Sequence, residues 1–80
     1  MVKILVAVFL FFSLAFGVVN INKANSAQLQ SLSGIGPTKA QEIMKYRKAH
    51  GGFKTADELV NVKGIGPKTL QKLKSQVSVR

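Results

Sequence analysis

Apolar positions along this chain follow three patterns in turn. From Ile4 to Phe12 they are unbroken, and Leu14, Ala15 and Phe16 continue them after Ser13. From Asn25 onward they come in pairs three apart: Leu29 with Leu32, then Leu59 with Val62, each pair running into Gly-Ile-Gly-Pro. Helical stripes follow each of those runs. Ala40, Ile43, Met44 and Arg47 share one face of a helix expected from Pro37 to about His50, with Lys39, Gln41, Glu42, Lys45 and Lys48 off it. A last helix, from Pro67 to about Gln76, carries Leu70, Leu73 and Val77 inward.

Local signals set the ends of these elements. Asn25-Ser26-Ala27-Gln28 and Thr55-Ala56-Asp57-Glu58 both read as capping boxes, the second with acidic residues suited to a helix N-terminus. Pro37 and Pro67 fit the first helical position, where a missing N–H costs nothing. Gly51-Gly52 stops the long helix, and Phe53 folds back as a core residue. Arg47 is the awkward member of its stripe; its stem is expected to pack while its head reaches water or the last carbonyls. Residues 18–24 read as an extended lead-in and residues 78–80 as a frayed tail.

The two halves repeat at an offset of 30 residues: Asn25 matches Thr55, Leu29 matches Leu59, the Gly-Ile-Gly-Pro runs align, and Ala40, Gln41 and Ile43 match Leu70, Gln71 and Leu73. Neither copy has enough apolar face to bury alone, so the pair must pack together. An all-α fold follows, with four short helices related by a pseudo-two-fold axis over residues 25–77, which puts both glycine turns on one side. The expected core is Leu29, Leu32, Ile35, Ala40, Ile43, Met44, Phe53, Leu59, Val62, Ile65, Leu70, Leu73 and Val77. A domain of ~60 residues buries only about 60% of its unfolded surface, so its stability is a few kcal/mol.

Composition changes the picture at the N-terminus. Met1-Val2-Lys3, the apolar run and Ala15-Phe16-Gly17 together read as a secretory signal peptide over residues 1–17. The competing reading is a retained membrane anchor, for which a span of about 20 apolar residues is usual and this run is short. The chain carries 12 Lys+Arg against 3 Asp+Glu; a cut after Gly17 removes Lys3 and leaves 11 against 3, a net +8. Such an excess points to an anionic partner, nucleic acid or a membrane surface. Without cysteine there is no disulfide framework or thiolate metal site, and one histidine with three acidic residues supports neither a zinc site nor a catalytic layout. No enzyme and no cofactor are expected.

The candidate chemistry sits at Leu32-Ser33-Gly34-Ile35-Gly36-Pro37 and Val62-Lys63-Gly64-Ile65-Gly66-Pro67. Glycine permits a tight turn, the isoleucine plugs into the core, and main-chain N–H groups gather at a helix N-terminus, a geometry that suits phosphate. Two such elbows in a basic chain suggest one ligand, the nucleic-acid backbone.

Leu-x-x-Leu-x-Gly-Ile-Gly-Pro resembles the helix-hairpin-helix DNA-binding motif, here in tandem. More narrowly, Val19-Asn20-Ile21-Asn22-Lys23-Ala24-Asn25, Tyr46-Arg47, Gly52-Phe53 and the run from Leu59 to Leu70 resemble the DNA-binding domain of ComEA-type competence proteins, across residues 19–77. The resemblance implies sequence-independent binding of double-stranded DNA without catalysis. It implies a place outside the cytoplasm, receiving and retaining transforming DNA, with DNA-uptake machinery as a further partner. With a signal peptide, the chain is similar to the short periplasmic members, secreted across the inner membrane. Two departures stand out: Ser33 where such motifs often have proline, and Leu70 where the first copy has Ala40. A non-nucleic-acid adaptor is the alternative, since an extrinsic lumenal photosystem subunit has this fold without a DNA role.

The candidate DNA-contacting set is Gly34, Ile35, Gly36, Thr38 and Lys39 in the first unit, and Lys63, Gly64, Ile65, Gly66, Lys68 and Thr69 in the second. Amides of the glycines and of Thr38, Lys39, Lys68 and Thr69 are the expected donors; they reach phosphate and carry no base information. Lys39 and Lys68 each oppose the macrodipole of their own helix by ~0.3–1 kcal/mol, a cost that a docked anion reverses. The plain alternative is two solvated lysines. Lys45, Lys48, Lys54, Lys72 and Lys74 read as a solubilising face, and Tyr46 as a packed residue rather than a base-stacking one. In the wider family, the Gly-Ile-Gly carbonyls of some members hold a monovalent cation that bridges to phosphate.

Overall fold

The computed structural model describes residues 18–79, so the signal-or-anchor reading of residues 1–17 and the tail's last residue lie outside the described residues. Both capping boxes form. Asn25 Oδ1 accepts from the Gln28 N–H and Gln28 Oε1 from the Asn25 N–H, each at 2.8 Å, and start α1 (Ser26–Leu29). Glu58 Oε1 accepts from the N–H groups of Lys54 and, at 3.3 Å, Thr55. The element that follows is a 3₁₀ helix, Ala56–Asn61, rather than an α-helix. A segment this short, six residues with Val62 already extended behind it, accommodates the tighter spiral, which is used in short pieces.

α2 (Pro37–His50) is the long helix, and its partner α3 (Pro67–Leu73) passes into a 3₁₀ turn over Lys74–Gln76. Gly51 and Gly52 end α2, both N–H groups donating to the Arg47 carbonyl. The two-fold arrangement of helices stands as expected.

The chain ends differ from expectation. β1 (Val19–Asn20) and β2 (Val77–Ser78) pair in parallel, Val19 opposite Val77 and Asn20 opposite Ser78. The Ile21 N–H continues the ladder by donating to the Ser78 carbonyl at 3.0 Å. Ser78 and Val79, expected to fray, are therefore held. The cause is burial of the lead-in: Ile21 is 0% exposed and Ala24 5%, with Val19 and Val79 packed at the edge of the same cluster. Met44 and Leu70, expected in the core, lie half-buried at its rim, and Ile21 and Ala24 occupy places assigned to neither.

Arg47 explains how the lead-in is fastened. Its Nη1 donates to the carbonyls of Ile21 and Ala24, both at 2.9 Å. Its head thus serves the lead-in and not the last carbonyls of α2; the glycines have taken its own carbonyl. Asn22 adds a second tie, accepting from the Phe53 N–H at 2.6 Å and donating to the Phe53 carbonyl at 2.9 Å. Gly52 sits so close to this clamp that a Cβ there would lie 3.1 Å from Asn22 Oδ1. Tyr46 stacks between His50 and buried Phe53, with centroids 3.9 and 4.9 Å away, so its ring is engaged in packing.

Candidate nucleic-acid interface

The two elbows are built from the same bonds. Leu32 and Val62 accept from the N–H groups of Ile35 and Ile65 at 3.1 and 3.0 Å; Gly36 and Gly66 accept from those of Ala40 and Leu70, both at 2.9 Å. The first glycine of each pair turns the chain, at φ +77° for Gly34 and +94° for Gly64, a region that costs other L-residues about 1–2 kcal/mol. The second glycine is different. Gly36 and Gly66 cap α2 and α3 in extended backbone, φ −98° and −99°, and a Cβ on either would meet nothing within 4 Å. The glycines of one elbow therefore do separate jobs: the first makes the turn, and the second leaves open the space before a helix.

Because helix bonding begins at Ala40 and Leu70 and neither helix has a side-chain cap, the amides of Thr38, Lys39, Lys68 and Thr69 have no acceptor among the described residues. The same is true of the amides of Gly34, Gly36, Gly64 and Gly66. Unpaired N–H groups at a helix start carry the positive end of its dipole. Ile35 and Ile65, included among the candidate DNA contacts, are each 4% exposed, and their N–H groups are already bonded. Their side chains plug the elbows from within and do not face a ligand.

The elbows are neighbours, and each is finished by the other unit. A Cβ on Gly34 would lie 3.9 Å from the Thr69 methyl; one on Gly64 would lie 3.6 and 3.7 Å from Cγ and Cε of Lys39. Adding the repeat offset to Gly34 and subtracting it from Thr69 turns the first contact into the second, as a two-fold relation requires. Thr38, Lys63 and Lys68 are exposed, while Lys39 and Thr69 are half-buried by this crossing. The other predicted lysines, 45, 48, 54, 72 and 74, are exposed, and Lys74 Nζ is 3.1 Å from Asp57 Oδ1. Ser33, the departure from proline, has a use of its own. Its N–H donates to Gln76 Oε1 at 3.1 Å and its Oγ accepts from Gln76 Nε2 at 2.9 Å, which pins the first elbow to the 3₁₀ turn after α3. Proline would lack that N–H.

The carbonyls of Gly34, Ile35, Gly64 and Ile65 accept no backbone hydrogen bond among the described residues, and carbonyl oxygens are the ligand type a monovalent cation takes. The Glu58 carboxyl is held below its ordinary value of 4.5, chiefly by the Lys54 N–H it accepts. That group serves the cap of the 3₁₀ helix and not the elbows.

Residues 15–78 match the family described as the helix-hairpin-helix motif. The chain is 45% identical over 62 residues to ComE operon protein 1 of Bacillus subtilis, covering 78% of this chain and 30% of that protein. It is also 45% identical over 60 residues to an uncharacterized protein of Haemophilus influenzae, covering 74% of this chain and 54% of the other. A human relative, endonuclease/exonuclease/phosphatase family domain-containing protein 1, is 39% identical over 59 residues, 74% of this chain and 10% of that one. The chain thus spans between a tenth and about half of the length of these curated relatives. With two matching elbows, both capping boxes and a match along most of its length, the chain belongs to the helix-hairpin-helix family.

Proposed function

We propose that the chain binds the phosphate backbone of double-stranded DNA without regard to sequence, and that it does so outside the cytoplasm during DNA uptake. The observation that carries this reading is the reciprocal contact of the elbows, Gly34 with Thr69 and Gly64 with Lys39, which sets two clusters of open amides side by side. A rigid pair of amide clusters matches a repeating anion better than a single small one. The formal charge of +9 supplies long-range attraction. Family membership favours nucleic acid as the anion, and kinship with ComE operon protein 1 favours a role in receiving and retaining incoming DNA.

In the bound state, amides of Gly34, Gly36, Thr38 and Lys39 donate to oxygens of one phosphate, and those of Gly64, Gly66, Lys68 and Thr69 to another. A donor without an internal partner loses only water on docking, so each bond to a charged oxygen contributes about 1.5–3 kcal/mol. The α2 dipole adds to the attraction, and the anion cancels the repulsion that Lys39 and Lys68 otherwise suffer at helix starts. A monovalent cation on the free elbow carbonyls would place further positive charge beside the phosphate. No base edge is touched, so composition of the duplex has no effect.

Titration with unrelated duplexes over a range of salt tests this. Dissociation constants of ~10⁻⁴–10⁻⁶ M at physiological salt, alike for every sequence and weakening steeply with salt, are expected. Absence of binding at low salt, or a marked preference for one sequence, refutes it. For the cellular role, deletion of the gene should lower transformation and the DNA held outside the inner membrane.

A further inference from the structure

The repeat invites a position-by-position comparison of the two elbows, and the crossing of side chains alters its result. Three polar positions surround each turn. Before the first glycine stand Ser33 and Lys63, and two residues after the second glycine stand Thr38 and Lys68. The third position is Lys39 in one copy and Thr69 in the other. If each side chain served its own elbow, the lysines would divide one to two. The structure exchanges the third pair: the Lys39 stem runs along Gly64, and the Thr69 methyl faces Gly34. The Gly64 elbow therefore gathers Lys39, Lys63 and Lys68, and the Gly34 elbow gathers Ser33, Thr38 and Thr69.

We propose that Lys39, though carried by the first unit, is a phosphate contact of the second elbow, which makes Gly64 the charged anchor of the interface and Gly34 a neutral hydrogen-bonding site. This rests on the phosphate-binding reading above. Cγ and Cε of Lys39 lie 3.6 and 3.7 Å from where a Cβ on Gly64 would stand, so the side chain runs beside Gly64 and its ammonium, one bond beyond Cε, is near the second elbow. Half-burial of the stem restrains it there, which lowers the entropy lost on ligand contact. Lys39 has no acidic partner among the described residues, so its charge is available. At the Gly34 elbow the Ser33 hydroxyl oxygen accepts from Gln76, and the donors there are amides and the hydroxyls of Ser33 and the threonines, all of them neutral. Two consequences follow: salt dependence is concentrated at the second elbow, and the first elbow sets geometry with little charge.

The test is a titration of labelled protein with a short duplex, followed through the backbone amides of Gly34, Gly36, Gly64 and Gly66. In the unsubstituted chain all four shift. Lys39→Gln keeps most of the stem and removes the charge. It should shrink the response of Gly64 and Gly66, leave Gly34 and Gly36 at saturation unchanged, and lower the salt slope by about 1. Thr69→Lys sends an ammonium across to Gly34 and should raise the slope by about 0.9. A Lys39→Gln effect confined to Gly34 and Gly36, or equal at both elbows, overturns the proposal while the phosphate-binding reading stands. If none of the four amides responds in the unsubstituted chain, that reading falls, and this one with it.

Discussion

Gly36→Ala and Gly66→Ala separate folding from binding in a way few glycine substitutions allow. Both positions have φ near −100°, open to any residue, and a Cβ on either meets nothing within 4 Å. Alanine restricts the unfolded chain, which favours folding by about 0.4–1 kcal/mol per site. It is also a poorer N-cap than glycine, a penalty of similar size. The two effects nearly cancel, so urea midpoints should move by less than about 1 kcal/mol equivalent. The added methyl, however, occupies the open space before a helix whose first amides have no other acceptor. If it holds a phosphate back so that one charge-assisted hydrogen bond is lost at each elbow, about 1.5–3 kcal/mol per site disappears, roughly tenfold or more in affinity. Gly34→Ala is the control with the opposite signature: at φ +77° it should destabilise by about 1–2 kcal/mol. Unfolding by circular dichroism and duplex binding by fluorescence anisotropy are measured on the same samples. Full affinity in the Gly36→Ala, Gly66→Ala double variant refutes the argument that the space before these helices is where phosphate docks.

Two other outcomes are expected. Arg47→Met keeps the packed stem but leaves the Ile21 and Ala24 carbonyls without their donor; urea denaturation should show a loss of about 2–4 kcal/mol, and a loss under about 0.5 kcal/mol would contradict the tie. Glu58 has a lowered folded pKa, so its contribution is present above the ordinary carboxylate range and is lost as pH falls through the folded value. The side-chain carboxyl resonance should titrate below 4.5, and Glu58→Gln should flatten that part of the acid limb.

What the sequence disclosed was local, and what it hid joined distant parts. Both capping boxes, both elbows and the α2 stripe are written within a few residues, where spacing and residue type suffice. Ile21 was missed because it sits between Asn20 and Asn22, and its partner Ser78 is at the other end of the chain. A weak signal existed: Val19 with Ile21, and Val77 with Val79, alternate with polar residues in the period of a strand. Two-residue strands are too short for that pattern to prevail over a loop reading. Arg47 misled in the same way, since a basic residue near a helix end ordinarily serves its own carbonyls. At the site, the two elbows and their open amides were legible from the repeated run, whereas Ile35 and Ile65, included among the candidate contacts, are core plugs. The exchange of Lys39 and Thr69 was not legible, because it arises only when the two units are apposed.

The parallel pairing of β1 with β2 has a bearing on how the domain is handled by other molecules. It latches Val19–Asn20 to Val77–Ser78, so an aminopeptidase trimming toward Ile21 meets main chain that is already bonded and a side chain fully enclosed. Digestion should therefore stall near Val19 instead of continuing into the helices. A unit clasped in this manner also keeps its register whatever polypeptide is spliced onto either end.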